Sequence, residues 1–166
     1  MLRALFSVVA GYLTVVVVIM GSFTLLWALL GQAAAFHPGT TQVTGTWLAA
    51  ALPLNLAAAI IGGLVAAWLA RSRALAGILG LAGLILVLGV AAALAQTGAP
   101  VGYGVLSSSA DLTAFEAAIQ ARQPVWVAWF LPFLGSAGVL AGGGLVLLGR
   151  ARRGRAIQGT NAPAPG

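Results

Sequence analysis

ALAGILGLAGLILVLGVAAALA, residues 74–95, runs for 22 positions without a charge, an amide or a hydroxyl. About 20 helical residues of this kind span a hydrocarbon layer roughly 30 Å thick. The run is bounded by Arg71 and Arg73 on one side and by Gln96 on the other. Three more runs of comparable length lie outward from it, at residues 4–30, 47–70 and 125–149. A soluble fold has no place for four such segments, and lipid does. The predicted fold class is therefore an all-α integral membrane protein, a bundle of four transmembrane helices.

Composition agrees. Of the 166 residues, 61% are hydrophobic and 6% are charged, against about 25% charged in a soluble domain. The length suits one domain, residues 1–156. Residues 157–166, with alternating Ala and Pro, read as a disordered cytoplasmic tail. The absence of cysteine excludes disulfides, thiolate metal ligands and a cysteine nucleophile. All eight basic residues are Arg. That bias fits a GC-rich bacterial genome as well as selection on the protein, and places it in a bacterial inner membrane.

A net charge of +6 suits either nucleic acid or anionic lipid. Position separates the two. Arg150, Arg152, Arg153 and Arg155 follow the last run, and Arg71 and Arg73 fill the link between runs two and three. Basic residues beside a membrane meet anionic headgroups, at about 1 kcal/mol each. No aromatic residue interrupts the tail arginines, so these six residues read as anionic-lipid contacts and nucleic acid is not an expected partner.

The same arginines predict threading. Arg3, Arg71, Arg73 and the tail group fall on one side, and only Arg122 falls on the other, with both acids, Asp111 and Glu116. Arginine excess in short segments marks the cytoplasmic side, so both termini are expected there. Trp27, Trp47, Trp126 and Trp129 lie near the outer boundary and Trp68 near the inner one, as rings that are half apolar prefer. Read instead as a signal peptide cut near Ala33-Ala34-Ala35, the first run is about twice the usual 7–15-residue core, so retention is expected.

In the first outer loop Pro38-Gly39 predicts a turn, and residues 40–44 a short extended stretch. The second outer loop, residues 96–124, predicts a short amphipathic helix from Ser107 to Gln123. Leu112, Phe115 and Ile119 share a face, and Ser108 with Asp111 has capping spacing. It would lie on the outer surface or cap the bundle.

Sliding the chain against itself by 79 positions aligns Ala35-Phe36 with Ala114-Phe115, Trp47 with Trp126, and Leu52-Pro53 with Leu131-Pro132. Gly63 then aligns with Gly142, Arg71 with Arg150 and Arg73 with Arg152. A tandem duplication of a helical hairpin explains these matches, with a pseudo-twofold axis along the membrane normal. Shared anchoring rules explain the Trp and Arg matches without duplication, but not the Pro.

Small residues recur at three- and four-residue spacing in every run. The stripes are Ser7, Gly11, Thr14, Val18, Gly21; Asn55, Ala59, Gly62, Ala66, Ala70; Ala76, Gly80, Gly83, Val87; and Gly135, Gly138, Gly142, Gly149. Such stripes let helices approach closely in lipid, where burial supplies no drive. Pro53 and Pro132 each remove one helical hydrogen bond. They are expected either to splay their helices over an outer vestibule or to mark where those helices begin.

Asn55 is the one amide well inside a run. It reads as interhelical glue or, less simply, as a ligand contact. Thr14 and Ser136 are candidate companions, although hydroxyls also bond their own helix. No catalytic, cofactor or metal constellation is readable. His37 stands alone, and Asp111 and Glu116 lie five apart on different helix faces. No acid, Lys or His sits inside a run, which disfavours proton coupling. The functional expectation is a non-enzymatic accessory subunit or homo-oligomer. The alternative is a passive carrier or channel for a small or apolar molecule, using a vestibule near Pro53, Asn55 and Pro132.

Overall fold

A computed structural model describes residues 2–98 and 121–160. Four helices appear among them: α1 (Leu2–Ala35), α2 (Gly45–Ala70), α3 (Ala74–Gly98) and α4 (Val125–Thr160). Each is long and apolar enough to cross a membrane. The molecule is a multi-pass membrane bundle. The 3₁₀ turn Arg71–Arg73 reverses the chain between α2 and α3.

The helices outrun their apolar segments. Gln32 and Ala33 to Ala35 extend α1, although Gly31 (φ 69°, ψ 179°) bends its last turn. Thr44 starts α2, its hydroxyl accepting from the Trp47 N–H at 3.1 Å. At the far end α4 continues to Thr160, past residue 157, because nothing between Arg150 and Gln158 breaks a helix and the first proline is Pro163. Residues 161–166 lie outside the described residues. Both Pro53 and Pro132 sit inside helices that begin well before them, so neither marks a helix start.

Packing proceeds from α1 to α2, from α2 to α4 and from α4 to α3, with α3 also touching α1 and α2. Helix α2 is central, and its buried residues are all Ala or Gly: Ala51, Ala58, Ala59, Gly62, Gly63, Ala66, Ala67 and Ala70. Its crossing with α4 brings backbone against backbone. A Cβ at Gly63 would strike the Val139 carbonyl, and one at Gly142 would strike the Ile60 carbonyl. A Cβ at Gly138 would lie 2.8 Å from that of Ala59. The α1–α2 crossing is built the same way: a Cβ added at Gly11 would lie 3.1 Å from the Gly62 carbonyl oxygen, and one at Gly62 would lie 3.0 Å from that of Gly11. Close contact of this kind supplies the dispersion and weak polar attraction that hold helices together in lipid.

Members of the stripes predicted on α1, α2 and α4 contribute these contacts, although Gly21 and Gly149 face open space. Of the α3 stripe glycines only Gly80 comes near another helix, where an added Cβ would lie 2.9 Å from Val8. Ala76, Gly80, Gly83 and Val87 are exposed, and α3 turns Ala74, Ile78, Leu81 and Ala82 inward instead. Ala74, Ile78 and Leu81 stand two residues before Ala76, Gly80 and Gly83, close to opposite sides of a 3.6-residue turn. Gly, Ala and Leu surround this helix on all sides, so spacing alone cannot select the packed face.

At the crossing, α2 and α4 meet in the register of the 79-residue shift: Ile60 and Gly63 oppose Gly142 and Val139. The two prolines differ. Pro53 is exposed, whereas Pro132 is buried against Gly89, where an added Cβ would lie 2.6 Å from the proline ring. Ser136 bonds across helices to the Ala82 carbonyl at 3.0 Å, while Thr14 bonds its own helix at Ala10 (2.8 Å).

Replacing Gly142 with Ala should lower stability by roughly 1–3 kcal/mol, as overpacking does. Gly144→Ala, where nothing lies within 4 Å, should be neutral or slightly stabilising because Ala favours helix. Thermal unfolding in mild detergent separates the two. Equal shifts would show that the crossing is looser than described.

Candidate functional site

The arginine end and the tryptophan end of the bundle offer different chemistry. At the first, Arg71 has a left-handed backbone (φ 48°), forced by reversing the chain in three residues. Arg150 holds that turn, donating to the Arg71 carbonyl at 2.7 Å and to the Ala67 carbonyl at 3.1 Å. It thereby satisfies two carbonyls that a helix end otherwise leaves unpaired. Arg150 is thus committed to the protein itself, while Arg71, Arg73, Arg152, Arg153 and Arg155 expose their side chains.

At the tryptophan end the first loop is a built structure. His37-Pro38-Gly39-Thr40 forms a turn closed by Thr40 N–H to the His37 carbonyl at 3.1 Å, with Gly39 at φ 73°. Pro followed by a left-handed Gly is the type II pattern. The chain then returns antiparallel, Phe36 bridging Val43. Thr44 ties the ends of α1 and α2 together: its N–H donates to the Ala35 carbonyl at 2.9 Å, and its hydroxyl donates to the Ala34 carbonyl.

A second strand-like segment joins from beyond the other loop. Arg122 N–H donates to the Thr41 carbonyl at 2.9 Å, and Val43 N–H to the Arg122 carbonyl at 3.2 Å. Residues 121–123 are therefore extended, not the helix end the sequence predicts. Pro124 biases the preceding backbone towards extended geometry, and the edge of residues 41–43 offers partners. The remainder of that predicted helix, with Asp111 and Glu116, lies outside the described residues.

Beneath this loop pair lies a cavity of about 130 Å³. Phe23 and Trp27 of α1 form one wall, and Trp47, Leu48, Leu52 and Asn55 of α2 another. Val127 and Leu131 of α4 close a third side, with Phe36, Val43, Ala121 and Gln123 above. The rings brace one another. Phe23 stacks on Trp47 at 6.0 Å, and Trp27 meets Phe36 and Trp47 edge-on at 6.0 and 6.1 Å. Pairs of this geometry contribute about 0.5–1.5 kcal/mol each beyond burial.

A cavity thus stands near the expected position, with Asn55 in its wall, but neither Pro53 nor Pro132 lines it. Of the aromatic residues that do, the sequence marks Trp27 and Trp47 as interface anchors and gives Phe23 and Phe36 no binding role. Phe23 and Trp27, four apart on one helix face, were the available signal. Asn55 makes one hydrogen bond, from its amide N–H to the Ala51 carbonyl of its own helix at 2.9 Å. It joins no other helix among the described residues. Its expected companions are engaged elsewhere, Ser136 with Ala82 and Thr14 with Ala10.

Among the described residues the lining carries no charged side chain, and these residues suit a neutral, mostly apolar body. Comparison with protein-family models, curated proteins and solved structures finds no match to this chain.

Thr44→Ala removes the α2 cap and the side-chain half of the tie to α1, leaving the backbone bond to Ala35, and should cost about 0.5–2 kcal/mol. It should also shift Trp emission to the red as water reaches Trp27 and Trp47, whereas Thr44→Ser keeps the wild-type spectrum. Unchanged emission in the Ala variant would remove Thr44 as the closure of this end.

Proposed function

We propose that this protein is a non-enzymatic membrane component that binds a small apolar molecule at its tryptophan end, in the manner of a passive carrier. The braced aromatic cavity carries the reading. Its size compares with an apolar cavity of roughly 150 Å³ that holds one benzene ring. Binding is favoured over open conduction because the bundle below is closed by Ala66, Leu81 and Val139, each 0% exposed.

In this reading the arginine end faces the cytoplasm, and the free arginines meet anionic lipid. The cavity then belongs to the outer leaflet of a bacterial inner membrane. A tandem hairpin origin is part of the proposal. The reciprocal α2–α4 crossing supports it, and the unlike settings of Pro53 and Pro132 weigh against it.

A second reading, an accessory subunit or homo-oligomer, is favoured by one observation. Of the α3 stripe, Ala76, Gly83 and Val87 are exposed and Gly83 has open space around it, with Gly80 near α1, and lipid-facing small residues suit a second helix.

Iodobenzene, a ring-sized heavy-atom quencher, tests the first reading. It should quench Trp emission saturably in detergent, and Ala51→Phe, which fills the cavity wall, should weaken it at least about fivefold, as overpacking excludes a ligand. Linear, identical quenching in both proteins would sink the idea. The second reading predicts that Gly83→Cys, the sole cysteine in such a variant, forms disulfide dimers in native membranes. Absence of dimers there and at Ala76→Cys would remove its basis.

A further inference from the structure

We infer that the cavity selects a neutral ring or short chain bearing one hydroxyl group, and that Asn55 reads that hydroxyl. The inference rests on the binding reading above and names the chemistry of its ligand. Asn55 lies eight residues along α2 from Trp47, about 12 Å deeper at 1.5 Å per residue. At that depth the surroundings are hydrocarbon, and an amide there is costly unless its donors and acceptor are used.

Its use is only partial. The geometry fixes which way the amide points, because the Ala51 carbonyl can only accept and must face the nitrogen. One N–H is thereby engaged. The second N–H and the carbonyl oxygen bond to no described residue, although Asn55 lines the cavity. An asparagine kept for helix association would bond a neighbouring helix, as Ser136 does with Ala82. Asn55 instead presents one donor and one acceptor at the cavity wall.

That pair defines the complement. A hydroxyl donates once and accepts, so one group satisfies both positions of the amide that no described residue fills. A carbonyl would use the N–H and leave the oxygen unpaired, and a hydrocarbon would leave both. A carboxylate or ammonium meets no counter-charge among the described lining residues and would be penalised by desolvation. The rest of the ligand is apolar, set against Phe23, Trp27 and Trp47, because Gln123, the other polar side chain in the described lining, is exposed in the segment above; its bulk is limited to about one ring by the 130 Å³ available.

Cyclohexanol and methylcyclohexane differ by hydroxyl against methyl at nearly equal size, and each can be titrated as a competitor of iodobenzene quenching. Concentrations are compared within the micelle phase, which removes the difference in partitioning. In the wild-type protein cyclohexanol should displace the quencher roughly tenfold more effectively, with cyclohexanone weaker than the alcohol. Asn55→Leu should lose the preference, bringing displacement by cyclohexanol and by methylcyclohexane to about the same level.

Equal displacement by alcohol and hydrocarbon, or by alcohol and ketone, in the wild-type protein overturns the inference while leaving apolar binding intact. A preference that persists in Asn55→Leu overturns the assignment to Asn55. Should that variant fail to fold, the wild-type ratios still decide the hydroxyl preference, and Asn55→Ala repeats the test of the residue. Failure of iodobenzene to quench saturably removes the binding reading itself, and this inference falls with it.

Discussion

Contact between the backbones of α2 and α4 is the constraint on which the bundle depends. In lipid, apolar side chains gain nothing by leaving hydrocarbon, so helices associate only where they approach closely enough for dispersion and short polar contacts. Gly63 against Val139 and Gly142 against Ile60 satisfy that condition with no side chain between. The buried face of α2 consists of Ala and Gly for the same reason. A helix touched by three neighbours has little room for anything larger.

Small residues at one level and large ones at another give the bundle its shape. Between α1 and α2 the Gly11–Gly62 contact draws the helices together in the arginine-end half. Towards the other end Phe23, Trp27 and Trp47 stand between the same two helices, with ring centroids 6.0–6.1 Å apart. Rings of that size hold the helices apart, and the space they leave is the cavity. The loop closes above it because Thr44 serves both helices at once, and because Arg122 supplies a backbone partner to Thr41 and Val43. Close packing and the binding site are two results of one gradient in side-chain size.

Much of the architecture was legible. The four spans follow from run length, because the thickness of hydrocarbon leaves few alternatives. The turn at Pro38-Gly39 and the backbone-bonded Thr14 were readable because both are local. The packed face of α3 was not, since a helix apolar on every side carries no periodic signal. Nor was the end state of residues 121–123, where pairing with residues 41–43 replaced a helical pattern. Asn55 was visible as the lone intramembrane amide, but its lack of an interhelical partner depends on where Ser136 and Thr14 point.

The sequence by itself determined that this chain crosses a membrane four times and gathers its arginines at the ends of its spans. Both properties depend only on the order of apolar and charged residues along the chain. Which helices touch, which face of α3 is packed, and that Phe23, Trp27, Phe36 and Trp47 line one cavity were decided by the tertiary structure. Those facts join residues far apart in the chain, and in a nearly uniform apolar sequence only the fit of one backbone against another distinguishes the partners.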